Sequence, residues 1–242
     1  MHKDIELPCF NNNFLRSLAA DDVRELASRL EFVEMPLEMK IYEPHAAITH
    51  LYFPETSIIS IVTTLENGNG VETGIIGREG VSGLETMLTE NAVPREAMVQ
   101  LGGSGYRTKV EDFRTLFTKS RSFSARALHY LYTFITQISQ NSACLCYHPI
   151  EKRLARWLLM FRERAEGDEL RLTQEFIALM LGVHRQNLNK NINNLQKKNL
   201  ISYNRGRVQI VDREALAKTA CECYGVIRTA VDTYSQATAQ HL

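Results

Sequence analysis

Basic and amide side chains follow one side of a short helical pattern between residues 184 and 196. Arg185, Gln186, Asn189 and Lys190 alternate with apolar positions and therefore occupy the opposite face of that helix. Arginine and lysine suit guanine edges and phosphates, whereas glutamine and asparagine suit adenine edges. We therefore predict that residues 184–196 form a recognition helix that enters the major groove of duplex DNA.

A second short helix must precede the recognition helix in order to position it. Thr173 is the predicted N-cap of this helix, and Gly182 supplies the tight turn, where a side chain with a Cβ atom would be strained. Asn191 departs from the apolar pattern of the recognition helix and would need a hydrogen-bond partner if buried. The recognition helix would pack on the first helix through an inner stripe of Leu188, Ile192 and Leu195.

Two short segments with the pattern of strands follow, at residues 200–203 and 208–211, around the turn 204–207. This pattern predicts a β-hairpin wing beside the two helices. Arg205 and Arg207 would lie at its tip, against the phosphate backbone.

The formal net charge of the chain is zero, with 28 basic and 28 acidic residues. Residues 1–149 carry 13 Lys/Arg and 18 Asp/Glu, whereas residues 150–213 carry 13 and 7. An acidic half joined to a basic half is typical of a sensor or catalytic part attached to a nucleic-acid-binding part, although a basic solvated surface is the plain alternative.

A heptad-like seam runs along a long helical pattern at residues 124–147. Such a seam predicts that the helix pairs with its twin in a homodimer, and the alternative is a helix inside the core of one chain. The predicted interface residues are Leu128, Leu131, Ile135, Ile138 and Leu145.

Short β-rich segments separated by turn signals occupy residues 32–110 and predict an antiparallel sandwich or barrel. The predicted strands include 48–53, 57–65 and 71–76, with residues 67–70 (Asn-Gly-Asn-Gly) as a hairpin turn. Residues 102–105 (Gly-Gly-Ser-Gly) are predicted as another turn.

A β-domain, a long heptad helix and a winged helix-turn-helix resemble the cyclic-AMP receptor protein/fumarate-nitrate regulator (CRP/FNR) superfamily of transcription factors. The resemblance implies an α+β fold: a sensor jelly roll over residues 1–120, a dimerisation helix over 121–148, and a DNA-binding domain with a helical tail over 149–242. It implies a homodimeric, sequence-specific transcription regulator that is not an enzyme and reads a roughly palindromic operator. Expected partners are double-stranded DNA, a second copy of the chain and RNA polymerase.

The resemblance also assigns roles to individual residues of the helix-turn-helix. Arg185, Gln186 and Lys190 match recognition-helix positions that contact bases and phosphates. Thr173 and Gln174 match positions that contact the DNA backbone.

The resemblance is weaker at the sensory end. Glu79 would meet a ribose hydroxyl and Arg95 a cyclic phosphate, but Glu96 stands where the family has a neutral hydroxyl donor. Ser139 matches a helix position that reads the base. These four residues are the candidate ligand site; binding of a cyclic nucleotide is disfavoured, and no cofactor is assigned. In the alternative, Arg95 pairs with a nearby carboxylate and the glycines form turns.

We predict no metal site. An iron–sulfur cluster needs several thiolates near the N-terminus, where only Cys9 is present. The two Cys-x-Cys pairs, at 144–146 and 221–223, do not have the Cys-x₂-Cys spacing of zinc sites and are interpreted as small buried residues in helices. His45 and His50 lack the spacing of a cupin-type metalloenzyme.

No apolar run approaches the roughly 20 residues that span a bilayer, and the first residues lack the apolar region of a signal peptide. We therefore expect a cytoplasmic protein without a membrane partner. The rival function is a ligand-binding or protein-interaction module that does not bind DNA, for which affinity would depend on apolar residues and little on salt.

Overall fold

The computed structural model describes residues 9–89, 92–165, 167 and 169–236. Within these ranges the chain is a mixed helix and sheet protein. The strands are β1 (Glu31–Met35), β2 (Lys40–Tyr42), β3 (His50–Pro54), β4 (Ile58–Thr64), β5 (Gly70–Ile76), β6 (Glu96–Leu101), β7 (Gly103–Lys109), β8 (Glu169–Arg171), β9 (Ile201–Asn204) and β10 (Arg207–Ile210). The helices are α1 (Asn13–Arg16), α2 (Ala20–Ala27), α3 (Val110–Lys119), α4 (Arg121–Tyr147), α5 (Ile150–Arg162), α6 (Gln174–Leu181), α7 (Arg185–Lys197), α8 (Arg213–Thr219) and α9 (Cys223–Gln236), with a 3-10 helix at Leu84–Met87.

The N-terminal β-region consists of two antiparallel sheets, with strand orders β1-β7-β3 and β2-β6-β4-β5. The chain changes sheets between β1 and β2, between β2 and β3, and again between β3 and β4, which is the connectivity of a jelly roll. An isolated bridge between Tyr52 and Ser82 extends the first sheet beyond β3. The predicted hairpin turn is confirmed: β4 and β5 are adjacent, and Gly68 has a positive φ of 81°.

The predicted turn at residues 102–105 is wrong, because β7 already begins at Gly103. In β7, the central strand of its sheet, Gly105 lies opposite both Val33 and Pro54. A Cβ atom on Gly105 would lie 2.6 Å from the carbonyl oxygen of Phe53. The glycine therefore permits a close approach of strands instead of making a turn.

Helix α4 begins after a break at Ser120, whose hydroxyl accepts a hydrogen bond from the amide of Phe123 at 3.2 Å. It continues for 27 residues to Tyr147, just before His148 and Pro149. One of its faces packs on the β-sandwich: the amide side chain of Gln137 pairs with both backbone groups of Ile75.

Helix α5 is buried on nearly all sides and connects the sandwich with the C-terminal elements. One apolar core contains Ile58, Val62 and Ile75 of the sandwich together with side chains of α5, the helix-turn-helix, the wing, α8 and α9. A second core fills the sandwich and packs on α1 to α4. The C-terminal elements therefore share a core with the β-region.

The C-terminal helix α9 packs along α4, and not only on the winged helix. Near its C-terminal end, Tyr234 is fully buried beside Arg126, whose guanidinium lies 3.5 Å above the Tyr234 ring. Near its N-terminal end, Cys223 lies beside Gln140. The two helices are therefore antiparallel.

Candidate DNA-binding surface

Helices α6 and α7 form the predicted helix-turn-helix. The hydroxyl of Thr173 caps α6 by accepting a hydrogen bond from the amide of Phe176 at 3.2 Å. Gly182 adopts the left-handed conformation with φ of 59°, and a Cβ atom there would lie 3.1 Å from Val71 of the sandwich. Glycine is therefore required both by the turn and by its contact with β5.

The inner stripe of the recognition helix is fully buried, at Leu188, Ile192 and Leu195. The opposite face is exposed and contains the predicted base-reading residues Arg185, Gln186, Asn189 and Lys190. In the part of the chain that the structure describes, this face stays open to solvent.

Asn191 does not need a buried partner. It is only partly buried, and its side-chain amide donates to the carbonyl of Asn187 at 2.7 Å, one turn earlier in α7. The asparagine therefore satisfies its donor within the helix.

The structure brings the starts of α6 and α7 together. The side-chain amide of Gln174 donates to Asn189 Oδ1 at 3.3 Å. Glu175, which the sequence interpretation did not single out, lies 2.5 Å from an Arg185 guanidinium nitrogen. Both members of this ion pair are more than 60% exposed, so solvent weakens it. Little free energy is therefore needed to separate Arg185 from Glu175.

The wing is confirmed, with one additional strand. Its sheet has the order β8-β10-β9, and β8 was not predicted. The turn consists of Arg205 and Gly206, with φ of 47° and 78°. Positive φ at both central turn positions matches the right-handed twist of the flanking strands.

Arg205 is exposed at the tip of the wing. Arg207 lies one position into β10 and pairs with Glu169 of β8 at 3.2 Å. The wing turn contacts the start of the helix-turn-helix, because the amide of Leu172 donates to the carbonyl of Gly206 at 2.7 Å. These contacts form a continuous chain from the wing through Thr173 and Gln174 to the recognition helix.

The candidate ligand residues of the β-region have separate partners. Glu79 is buried and accepts a hydrogen bond from Arg164 Nε, just beyond α5, at 2.7 Å. Arg95 pairs with Glu85 at 3.1 Å, and Glu96 pairs with Lys40. Ser139 is exposed on α4. Within the described residues, no hydrogen bond or ion pair joins any two of these four.

A second buried carboxylate links the sandwich to α5. Glu72 of β5 accepts a hydrogen bond from Trp157 Nε1 at 2.8 Å, and the hydroxyl of Ser60 lies 2.5 Å from its other oxygen. Burial raises the pKa of the Glu72 carboxyl to about 7, against the lowering effect of these hydrogen bonds. The sequence signal for this residue was an acidic side chain within a β-branched strand.

The predicted seam of α4 lies on a different face from the residues that this helix buries. Leu128 and Ile135 are 48% and 50% exposed, and Leu131, Ile138 and Leu145 are partly buried. Phe123, Ala127 and Tyr130 of the same helix are buried against the sandwich core. Among the described helices, none combines the length and hydropathy of a membrane span.

These elements define a winged helix-turn-helix protein with an N-terminal β-sandwich and a long connecting helix. Comparison with protein families agrees: residues 152–219 match the Crp-like helix-turn-helix domain. A comparison with curated proteins gives no significant match.

Several solved structures share the fold. A protein from Eubacterium rectale classed in the Crp/Fnr family is 16% identical, with 84% of this chain and 94% of that chain covered and a TM-score of 0.69. FixK2 from Bradyrhizobium japonicum is 14% identical, with 79% and 98% covered and a TM-score of 0.69. A CRP-family transcriptional regulator from Thermus thermophilus is 19% identical, with 78% and 96% covered and a TM-score of 0.67. The chain therefore has a Crp-like helix-turn-helix domain within a fold that it shares with these structures.

Proposed function

We propose that the protein regulates transcription as a homodimer that reads a roughly palindromic operator, without covalent chemistry of its own. The observation that carries this proposal is the exposed, continuous surface from Arg205 on the wing, through Thr173 and Gln174, to Arg185 on α7. A dimer of such surfaces would place two recognition helices about 34 Å apart, one turn of DNA.

The α4 seam supports the dimer. Leu128 and Ile135 remain half exposed in the single chain, and Tyr132 is 67% exposed beside them. A helix internal to the core of one chain would bury these side chains. Pairing of two α4 helices would remove this apolar surface from water and place the DNA-binding domains side by side.

We assign Arg185, Gln186, Asn189 and Lys190 to base and nearby phosphate contacts, and Thr173, Gln174, Arg205 and Arg207 to the backbone. The regulator would act in the compartment that holds the DNA, and RNA polymerase is the expected further partner.

Control of binding would reach α7 through the sandwich. Gly182 of the helix-turn-helix turn contacts Val71, and Glu79 holds Arg164 at the end of α5. A change in the sandwich that moved either contact would reorient the recognition helix. Such a shift needs an effector, or an intrinsic state, that favours one of the two orientations.

The first test selects duplexes from a randomised library with the full chain and measures affinity over a series of salt concentrations. We expect an enriched sequence with two related half-sites, and an affinity that falls linearly on logarithmic axes as salt rises. A chain that enriches no duplex and binds DNA without salt dependence would contradict the proposal. Binding that depends on apolar residues of a protein partner would instead support an interaction module.

The second test compares two arginine variants on the selected duplex. Arg185→Ala should relax discrimination at one base step by about 1–3 kcal/mol, whereas Arg205→Ala should weaken all sequences alike. Lys119→Ala is the matched control, because this exposed lysine lies at the end of α3 and pairs with Glu25. Equal effects of all three variants on DNA binding would contradict the roles assigned to Arg185 and Arg205.

A further inference from the structure

Three cysteines and one histidine meet where the C-terminal end of α4 reaches the start of α9. Cys144 lies in the last turn of α4, His148 is its C-cap residue, and Cys221 and Cys223 come from the start of the C-terminal segment. The three sulfur atoms and one imidazole nitrogen all lie within 4.8 Å of one another.

The local chain geometry explains how these residues converge. Cys144 and His148 are four residues apart, and the amide of His148 donates to the carbonyl of Cys144 at 3.1 Å, so both point to one side of the helix. The turn before α9 is closed by a hydrogen bond from the amide of Tyr224 to the carbonyl of Cys221 at 3.0 Å. This turn directs Cys221 and Cys223 toward the same point.

The cluster is buried and separate from the two main cores. Cys144 and Cys223 have no exposed surface, Cys221 is 4% exposed, and the three cysteines form their own group of buried residues. All three are free thiols. Cys146, by contrast, is exposed. The prediction that both Cys-x-Cys pairs are buried residues is therefore wrong for Cys146, and Cys144 lies beside His148 and the distant 221–223 pair.

The spacing fits one tetrahedral metal ion. With Zn–S bonds of about 2.3 Å and Zn–N bonds of about 2.0 Å, neighbouring ligand atoms of a tetrahedron lie roughly 3.5–3.8 Å apart. Cys144 Sγ lies 3.4 Å from Cys221 Sγ, and Cys223 Sγ lies 3.4 Å from His148 Nδ1. In an iron–sulfur cluster, by contrast, the ligands bind different iron atoms. Their sulfur atoms would then lie further apart, because the distance between the iron atoms separates them.

The groups around the cluster orient its ligands. His148 Nε2 lies 3.2 Å from a carboxylate oxygen of Glu222, so the proton belongs on Nε2 and the lone pair of Nδ1 faces the sulfur atoms. A carboxylate behind a histidine ligand is a recurring support of zinc sites. Gln140 donates its side-chain amide to Cys223 Sγ at 3.1 Å.

A positive charge also lies close to the cluster. Three thiolates around one Zn²⁺ ion leave a net negative charge. The buried guanidinium of Arg156 in α5 interacts electrostatically with Cys144 and donates to Asn141 at 2.6 Å. It therefore offsets part of that charge.

We propose that Cys144, Cys221 and Cys223, through Sγ, and His148, through Nδ1, bind one Zn²⁺ ion in a closed Cys₃His site. The four ligands leave no open position for a substrate, as in structural zinc sites. The ion would fasten the end of the α4 helix to the start of α9, next to Pro149, where the chain turns into α5. It would thus hold the junction between the long helix and the DNA-binding elements.

The test measures metal binding by the full chain, purified under reducing conditions. We expect about one zinc per chain by elemental mass spectrometry. Titration with Co²⁺ should produce the d–d bands of a tetrahedral site and thiolate charge-transfer bands, both abolished by Zn²⁺. Cys223→Ser should weaken Zn²⁺ binding in a chelator competition by at least about 100-fold, since loss of an outer-shell partner alone costs 10–100-fold.

Two further variants keep the proposal falsifiable even if Cys223→Ser fails to fold. Cys146→Ser removes an exposed cysteine from the same helix and should leave affinity and the Co²⁺ spectrum unchanged. Glu222→Gln retains all four ligands and should weaken binding by about 10-fold.

The zinc assignment would be overturned by any of four results. One is a Co²⁺ affinity of the wild-type chain no higher than that of Cys223→Ser. Another is a loss of metal in Cys146→Ser equal to that in Cys223→Ser. The third is recovery of iron or copper in place of zinc, and the fourth is a Cys144–Cys221 disulfide in the chain purified under reducing conditions. None of these measurements involves DNA, so they do not depend on whether the chain binds an operator.

Discussion

Charged side chains occur in two regions of this protein, exposed to solvent in one and buried in the other. On the helix-turn-helix and wing, Arg185 and Arg205 are exposed, and the ion pair of Arg185 is open to solvent. Between the sandwich and α5, Glu79 and Arg164 are each at most 7% exposed and bind each other. Exposed charges cost little and remain available to a ligand, whereas buried charges are costly to separate and hold the fold. The same residue types are therefore expected to contribute differently to stability in the two regions.

The largest effect is expected from breaking the buried pair. Arg164→Ala leaves the Glu79 carboxylate without its guanidinium partner, and should lower the free energy of unfolding by about 3–5 kcal/mol. Urea unfolding followed by the fluorescence of Trp157, the single tryptophan, measures this loss.

A double variant distinguishes charge separation from lost packing. Glu79→Gln combined with Arg164→Met removes both charges and should recover much of the stability. Arg164→Ala could instead change the free energy of unfolding by no more than the roughly 0.5 kcal/mol typical of surface substitutions. In that case the buried ion pair would contribute no more to stability than an exposed one.

The second effect concerns Glu72 and depends on pH. Its pKa is raised to about 7 in the folded chain, so the folded state favours the protonated carboxyl. When protonated, Glu72 can donate to Ser60, and Ser60 can donate to Gln100 Oε1 at 2.6 Å. This contribution to stability is full below pH 4.5, the ordinary pKa of the group, and is lost as pH rises through about 7.

The substitution Glu72→Gln keeps the shape of the side chain, but the amide is neutral at every pH. Relative to the wild type, the variant should gain about 1–3 kcal/mol in free energy of unfolding as pH rises from about 4.5 to about 8. Urea melts at each pH measure this difference. Glu66→Gln in the exposed hairpin turn is the control, since water solvates its carboxylate in the folded and unfolded chain. A pH-independent difference for Glu72→Gln would show that its charge is not destabilised by burial.

A smaller effect is expected on the exposed side of the comparison. Arg207 and Glu169 form an ion pair with both side chains at least half exposed. Arg207→Ala should therefore change the free energy of unfolding by at most about 1 kcal/mol. In the same protein, the slope of DNA affinity against salt should fall by about 0.9 if one phosphate contact is lost. A large loss of stability with an unchanged salt slope would contradict the assignment of Arg207 to a phosphate contact and give it a role in stability instead.

The smallest effect is expected from cyclic nucleotides, which test the candidate ligand residues. Glu79 and Arg95 already have internal partners, and a cyclic nucleotide would have to displace them. We therefore predict that saturating cyclic AMP or cyclic GMP leaves the melting temperature unchanged, because only a ligand that binds the folded state raises it. A clear increase with either nucleotide would show that these ion pairs open for a ligand.

Local patterns predicted the helix-turn-helix and wing well. The cap at Thr173, the left-handed Gly182 and the apolar stripe of α7 depend on residues only a few positions apart. The three-residue strand β8 was missed, because so short a segment has no periodicity of its own and is defined by pairing with β10.

Features that depend on distant residues were harder to predict. Glycines at 103 and 105 look like a turn in sequence, and only their pairing with two neighbouring strands shows that β7 begins at Gly103. The Cys-x₃-His spacing of residues 144 and 148 was a visible signal for the metal ligands. Its partners at 221 and 223 are identified only by the antiparallel packing of α9 on α4.

Arg126 connects distant parts of the chain. Its guanidinium donates to the hydroxyl of Ser17, 109 residues earlier, at 2.5 Å and to the carbonyl of Tyr234, 108 residues later, at 3.0 Å. During synthesis, Arg126 therefore lacks the Tyr234 carbonyl as its partner until residue 234 has emerged from the ribosome. At about 5–20 residues per second, this delay lasts roughly 5–20 seconds. The core of the sandwich is therefore completed only after α9 has been translated.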